Sequence, residues 1–225
     1  MPKNQPLSPE LFVKTLDRLI EMVVIGKEHV KIGHGLGQTL QGDPAIAQVA
    51  PVFWGMSLTA HLDAAQLIAF KLFDTRAGTM TIGHLLAEAG KLKNAFGNAT
   101  PLKVEAIVRI AHSQITERLT SPLKQIRSKR NRLLAHLDRT TVSDPEKVAE
   151  QVKVTFSDLN VIFDVAGRVL NDVSVVFCDV SPSYDMMGSE DYKRAIDLIV
   201  DAKCAQIRNC EAEFGPWESL RPKKS

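Results

Sequence analysis

Arg130, Asn131 and His136 are the residues whose types and spacing point most directly to chemistry. They lie in the run Arg130-Asn131-Arg132-Leu133-Leu134-Ala135-His136. A histidine can give or take a proton near neutral pH and so suits general acid–base work. A guanidinium binds oxyanions through paired N–H donors. Between Arg118 and Arg139 the cations are Arg118, Lys124, Arg127, Lys129, Arg130, Arg132 and Arg139, against the single acid Asp138. Phosphate backbones are the commonest partner of such a surface, and a solvated helix face kept soluble by its charges is the competing explanation.

Arg130 is anomalous on physical grounds. Leu123, Ile126, Leu133, Leu134 and Leu137 fall on one helical stripe, and Arg130 sits in its middle. A guanidinium on a buried face is costly unless an anion or hydrogen-bond acceptor meets it. Three explanations compete: a buried acid on another helix, such as Asp63 or Asp74; a subunit interface; or a bound phosphate. Arg130 and His136 are six positions apart, which on a straight helix turns them about 120° from each other. One copy cannot easily aim both at one atom, but two copies around a two-fold axis can line a shared cleft. The other histidines, His29, His34, His61, His84 and His112, carry no assigned role.

The elements that must position this segment are helical. Ser8 is the expected N-cap of a first helix with Pro9 at its first position. Leu11, Thr15, Leu19, Met22 and Val23 form its inner face, and Gly33, Gly35 and Gly37 are expected to end or fray it. A second helix is expected from about Pro44 to Asp74, with Phe53, Leu58, Leu62, Ala65, Ala69 and Leu72 inward. Thr81 caps a shorter one from Ile82 to Phe96. A long stretch opens after Pro101, faces inward through Val104, Val108, Ala111, Ile115 and Leu119, is expected to kink at Ser121-Pro122, which looks like a new cap and first turn, and continues to about Asp138. Asp144-Pro145 marks a loop. A further helix spans about Ser157 to Phe177, with Leu159, Ile162, Phe163, Ala166, Leu170 and Val173 inward, and a last one runs from about Ser189 to Phe214. No period-two alternation is long enough for a strand. The pattern predicts an all-α, antiparallel helical bundle of about five to seven helices. It forms one domain over residues 1–214, with a core over about 10–175, a C-terminal helix at 189–214 and a flexible tail at 215–225.

Bulk composition excludes several classes. The 225 residues are 44% hydrophobic and 24% charged, ordinary for a globular chain, and can bury a core without staples. Lys and Arg total 28 against 26 Asp and Glu, a net +2, so nucleic-acid binding has to come from a local patch. Cys178, Cys204 and Cys210 form no CxxC pair, which points to neither a zinc site nor a disulfide framework. The first residues lack a signal-peptide layout, and no run is apolar for the roughly 18 residues of a membrane span. The expected setting is the cytoplasm, with no membrane contact.

With these residues in view, Arg130-Asn131-x-x-x-x-His136 resembles the Arg-x(4–6)-His motif of the HEPN superfamily, in which a polar residue typically follows the arginine. The Phe53-Trp54 pair, the Leu67 to Asp74 helix end, the Thr79-Met80-Thr81-Ile82 stretch and the Arg-Asn-Arg-Leu-Leu-Ala-His-Leu-Asp run are similar to the AbiU-type abortive-infection branch. The resemblance covers roughly residues 10 to 175, and the segment after Asp179 lies beyond it. It implies a HEPN-like bundle that forms a homodimer through its motif helices, and metal-independent RNA cleavage without a cofactor. His136 is then the acid–base, Arg130 stabilises the scissile phosphate, and Asn131 hydrogen-bonds within the site. Lys124, Arg127, Lys129 and Arg132 steer RNA towards it. The implied role is that of a toxin or phage-defence effector, with an antitoxin protein as a further partner. The superfamily also holds members that bind RNA or protein without cutting, and a non-catalytic helical module is the alternative. A monomeric bundle with Arg130 salt-bridged inside is the plainest third possibility.

Overall fold

A computed structural model describes residues 7–129 apart from 77, 93 and 98, then 153–186 and 190–214. Among the described residues there are seven helices and no strand: α1 (Pro9–Gly42), α2 (Pro44–Val49), α3 (Pro51–Leu72), α4 (Ile82–Lys91), α5 (Pro101–Lys129), α6 (Phe156–Cys178) and α7 (Asp191–Phe214). The chain is an all-helical bundle. None of the described helices is long and apolar enough to cross a membrane. The expected extension of α5 to Asp138, the Asp144-Pro145 loop and the tail at 215–225 lie outside the described residues.

α6 is the central helix. Its start is fixed by a reciprocal cap: Thr155 Oγ1 accepts the Asp158 N–H at 3.1 Å while Asp158 Oδ2 accepts the Thr155 N–H at 2.9 Å. Its end turns at Asp179, whose φ of 56° is left-handed. All six residues expected to face inward along it are buried. Val165, Val169 and Phe177 are buried as well, so most of the circumference is covered. α1 and α3 pack on one side of it and α5 on another. The rings of Phe12, Phe96 and Phe177 close one end of the core, with centroids 4.8–5.8 Å apart.

α1 opens as expected, with Ser8 Oγ accepting the Leu11 N–H at 3.2 Å. It does not stop at its glycines but continues through Gly33, Gly35 and Gly37 to Gly42. The reason lies in packing. A methyl group at Gly33 would sit 2.4 Å from the Phe156 ring, and one at Gly35 2.1 Å from the Tyr192 hydroxyl oxygen. These glycines are notches that seat aromatic rings from α6 and α7, and the helix keeps its hydrogen bonds across them.

The expected single helix over Pro44–Asp74 is two. Pro51 disfavours the α conformation in the preceding residue; Ala50 takes φ −151°, ψ 64°, and α3 restarts with Pro51 in its first turn. The break resets the helical phase. Phe53, expected inward, is 51% exposed, and its neighbour Trp54 is buried instead, its Nε1–H donating to the Ile46 carbonyl at 3.0 Å. α4 opens on the Thr81 cap as expected but ends at Lys91, short of Phe96, because single turns take over after Leu92. α5 runs on through Pro122 without interruption, the ring costing one backbone hydrogen bond.

α7 attaches differently from the rest. Ile196 is its one buried residue among those described, and with Leu36 and Trp54 it forms a small second core rimmed by Leu40, Ile46, Ala50, Leu58, Tyr192, Ile199 and Val200.

Candidate functional site

α5 delivers the chain to the segment singled out in the sequence. Its inner side runs through Val104, Ala111, Leu119, Leu123 and Ile126, all buried. Arg130 follows Ile126 by four residues in the sequence. Arg130, Asn131, Arg132 and His136 themselves lie outside the described residues.

The last turns of the described α5 concentrate positive charge: Arg118, Lys124, Arg127 and Lys129 follow one another with no acid between. Lys124 and Arg118 are exposed and have no ion-pair partner among the described residues. The other two cations are engaged in the fold. Arg127 donates from Nη2 to the Phe73 carbonyl at 3.1 Å, satisfying an acceptor at the end of α3. Lys129, with only 17% of its side chain exposed, pairs its Nζ with Asp63 Oδ1 of α3 at 3.3 Å.

The two acids weighed as partners for Arg130 both hold other cations. Asp63 holds Lys129. Asp74 is buried just past the end of α3 and receives the Arg76 backbone N–H at 3.1 Å and its Nε at 2.7 Å. The Arg76 guanidinium lies over the Phe70 ring, 5.7 Å from its centroid. The last turn of the described α5 is therefore held to α3 at two points, the Arg127–Phe73 hydrogen bond and the Lys129–Asp63 ion pair.

Residues 45–198, more than half of the chain, match the HEPN_AbiU2 family model, described as AbiU2. The chain belongs to this HEPN family. The AbiU2 match runs from α2 into the first part of α7 and includes the stretch with Arg130, Asn131 and His136. It therefore reaches past Asp179, where the sequence resemblance stops. α1, which precedes the AbiU2 match, is nonetheless packed on α3 and α6 as an integral part of the bundle. No curated protein and no solved structure gives a match.

One constellation escapes the sequence altogether. His29 of α1 and His61 of α3 face each other with Nδ1···Nδ1 3.0 Å and ring centroids 5.2 Å apart. Burial pulls both imidazoles below their ordinary proton affinity, and for His61 the facing His29 adds to this. The two residues are 32 positions apart on separate helices, and no local pattern links them.

Proposed function

We propose that this chain is a metal-independent endoribonuclease of the HEPN type, acting as a toxin or phage-defence effector, with Arg130, Asn131 and His136 as its site. The observation that carries this reading is the AbiU2 match across a segment in which all three residues are present. In this reading His136 takes the proton of a ribose 2′-hydroxyl or gives one to the leaving 5′-oxygen. Arg130 binds the scissile phosphate and stabilises the charge it gains. Asn131 hydrogen-bonds within the site. The attack of the 2′-oxygen on phosphorus leaves a 2′,3′-cyclic phosphate and a free 5′-hydroxyl, and it needs no metal ion. In this reading Lys124 and Arg118 meet the RNA backbone from solution, whereas Arg127 and Lys129 are also engaged in contacts between α5 and α3.

The same reading requires a homodimer. α3 carries an exposed apolar row, Val52, Met56 and Leu67, 52–73% exposed, at the i, i+4, i+15 spacing of one helix face, with Phe53 at its edge. Asp63, the partner of Lys129, lies on that row. A second copy seated there would bring its own α5 terminus close to the first. The whole assembly is one HEPN-like domain over residues 1–214 per copy, in the cytoplasm, with an antitoxin protein as a further partner.

The test is incubation of purified full chain with RNA in the presence of a chelator, beside Arg130→Ala and His136→Ala. Cleavage by the wild type and its loss in both variants support the reading. Equal cleavage by all three places the activity elsewhere, and RNA binding without turnover assigns the chain to the non-cutting HEPN modules.

A further inference from the structure

We propose that the His29–His61 pair is an acid-operated latch: in its neutral state it pins α1 to α3 beneath the seat of α7, and in its doubly protonated state it sets two cations face to face there and releases α7.

The proton count follows from the geometry. At 3.0 Å between the two Nδ1 atoms, one ring donates its Nδ1–H and the other accepts on a bare Nδ1. The donor ring then carries its free lone pair on Nε2, and the acceptor ring carries its hydrogen there. A first proton from solvent adds to Nε2 of the donor ring and leaves the bond in place, now charge-assisted. A second can add only to the acceptor's Nδ1. That proton abolishes the hydrogen bond and turns two N–H groups, each on a cation, towards each other. The latch opens on the second proton.

Among the described residues no acid acts on either ring to soften that step. His61 lines a cavity of about 120 Å³ walled by Ile32 and Leu36 of α1, Phe53 and Trp54 of α3, and Ile196 and Ile199 of α7. The other described wall residues are Ser57, Ala195 and Tyr192, whose phenol is the one other titratable group among them. The charged groups nearby are committed or turned away. On α1, Lys27 pairs with Asp164 of α6, Lys31 pairs with Glu190 ahead of α7, and Glu28 lines a separate polar cleft with Asn160 and Asp164 of α6. On α3 the nearest acid, Asp63, holds Lys129 of α5. On α7, Lys193 is paired with Glu190.

α7 is the element free to respond. It rests on the small core of Leu36, Trp54 and Ile196, and its residues from Gln206 to Glu213 are exposed. Elements with few buried apolar contacts open at the lowest free energy. Charging the floor of that small seat acts where the resistance is least, and residues 159–170 of α6, in the main core, are unaffected.

Hydrogen–deuterium exchange on the full chain at pH 7.5 and pH 5.0, corrected for intrinsic rates, tests this with His29→Gln, His61→Gln and the double variant. Expected for the wild type is about a tenfold gain in exchange over 191–200 at pH 5.0 with 159–170 unchanged, and loss of that step in each variant. No gain in the wild type, or an equal gain in the double variant, overturns the proposal. A variant that is unprotected in 159–170 at pH 7.5 has lost its fold. In that case imidazole NMR of the wild type decides. Two histidines titrating in separate steps, the lower one tracking the α7 exchange, support the latch, and six histidines titrating independently near the ordinary value contradict it.

Discussion

The two hydrophobic cores of this molecule are built on different terms. The main one surrounds α6 and is closed by Phe12, Phe96 and Phe177 and by the Phe163 ring pressed into the notch at Gly26, where a methyl would lie 2.2 Å from it. Among the described residues the second one has only Leu36, Trp54 and Ile196 buried; it keeps a cavity with an ionisable histidine in its wall. Close packing makes the first resistant to local change. The second buries too little to resist a change in charge, so conformational response concentrates there.

The largest effect that would separate the two is truncation of Phe163, which is fully buried. Phe163→Ala should cost about 3–5 kcal/mol and lower protection throughout the bundle. Denaturant unfolding with exchange mapping checks it, and a loss confined to one helix would dissolve the distinction between the cores. Ile196→Ala should cost about 2 kcal/mol, with the gain in exchange limited to α7. Spread of that gain into α6 would mean that the small core is continuous with the large one.

Next comes pH. His29 and His61 bind protons less readily in the folded chain than their ordinary value of 6.5. The unfolded chain therefore holds more protons as pH falls below 6.5, and the pair's contribution, complete above that value, is lost on acidification. Unfolding free energy measured between pH 7.5 and 5 should fall more steeply for the wild type than for His29→Gln. Parallel slopes would remove the pair from the account. The smallest effect is expected at the α3–α5 joint. Lys129→Met should change stability by less than about 1 kcal/mol, because the partner Asp63 is 41% exposed and such pairs are weak. A much larger loss would mean that this joint, rather than the α6 core, holds α5 in place.

What the sequence makes legible follows the same division. α6 can be read residue by residue, because a helix covered on most sides shows its partners in its own periodicity. Ser8, Thr81 and the end of α3 are equally local and equally readable. The glycines of α1 mislead, because a notch and a stop look alike until the ring that fills the notch is placed. The phase of Phe53 and Trp54 depends on one proline, Pro51, and on whether it breaks a helix or opens a new one. The His29–His61 pair and the Lys129–Asp63 bridge are purely tertiary. Sequence reasoning could name Asp63 as an acid in search of a cation but not which cation it takes. Arg130, Asn131 and His136 are legible as a motif through their spacing and through the family to which the chain belongs.

The central claim, RNA cleavage by that motif, is tested most directly by analysing the ends produced. Full chain and His136→Ala should be incubated with a defined RNA in chelator and the fragments examined by mass spectrometry. Fragments ending in 2′,3′-cyclic phosphate are expected from the wild type and none from the variant. Intact RNA with the wild type, or identical fragments from both proteins, would contradict it.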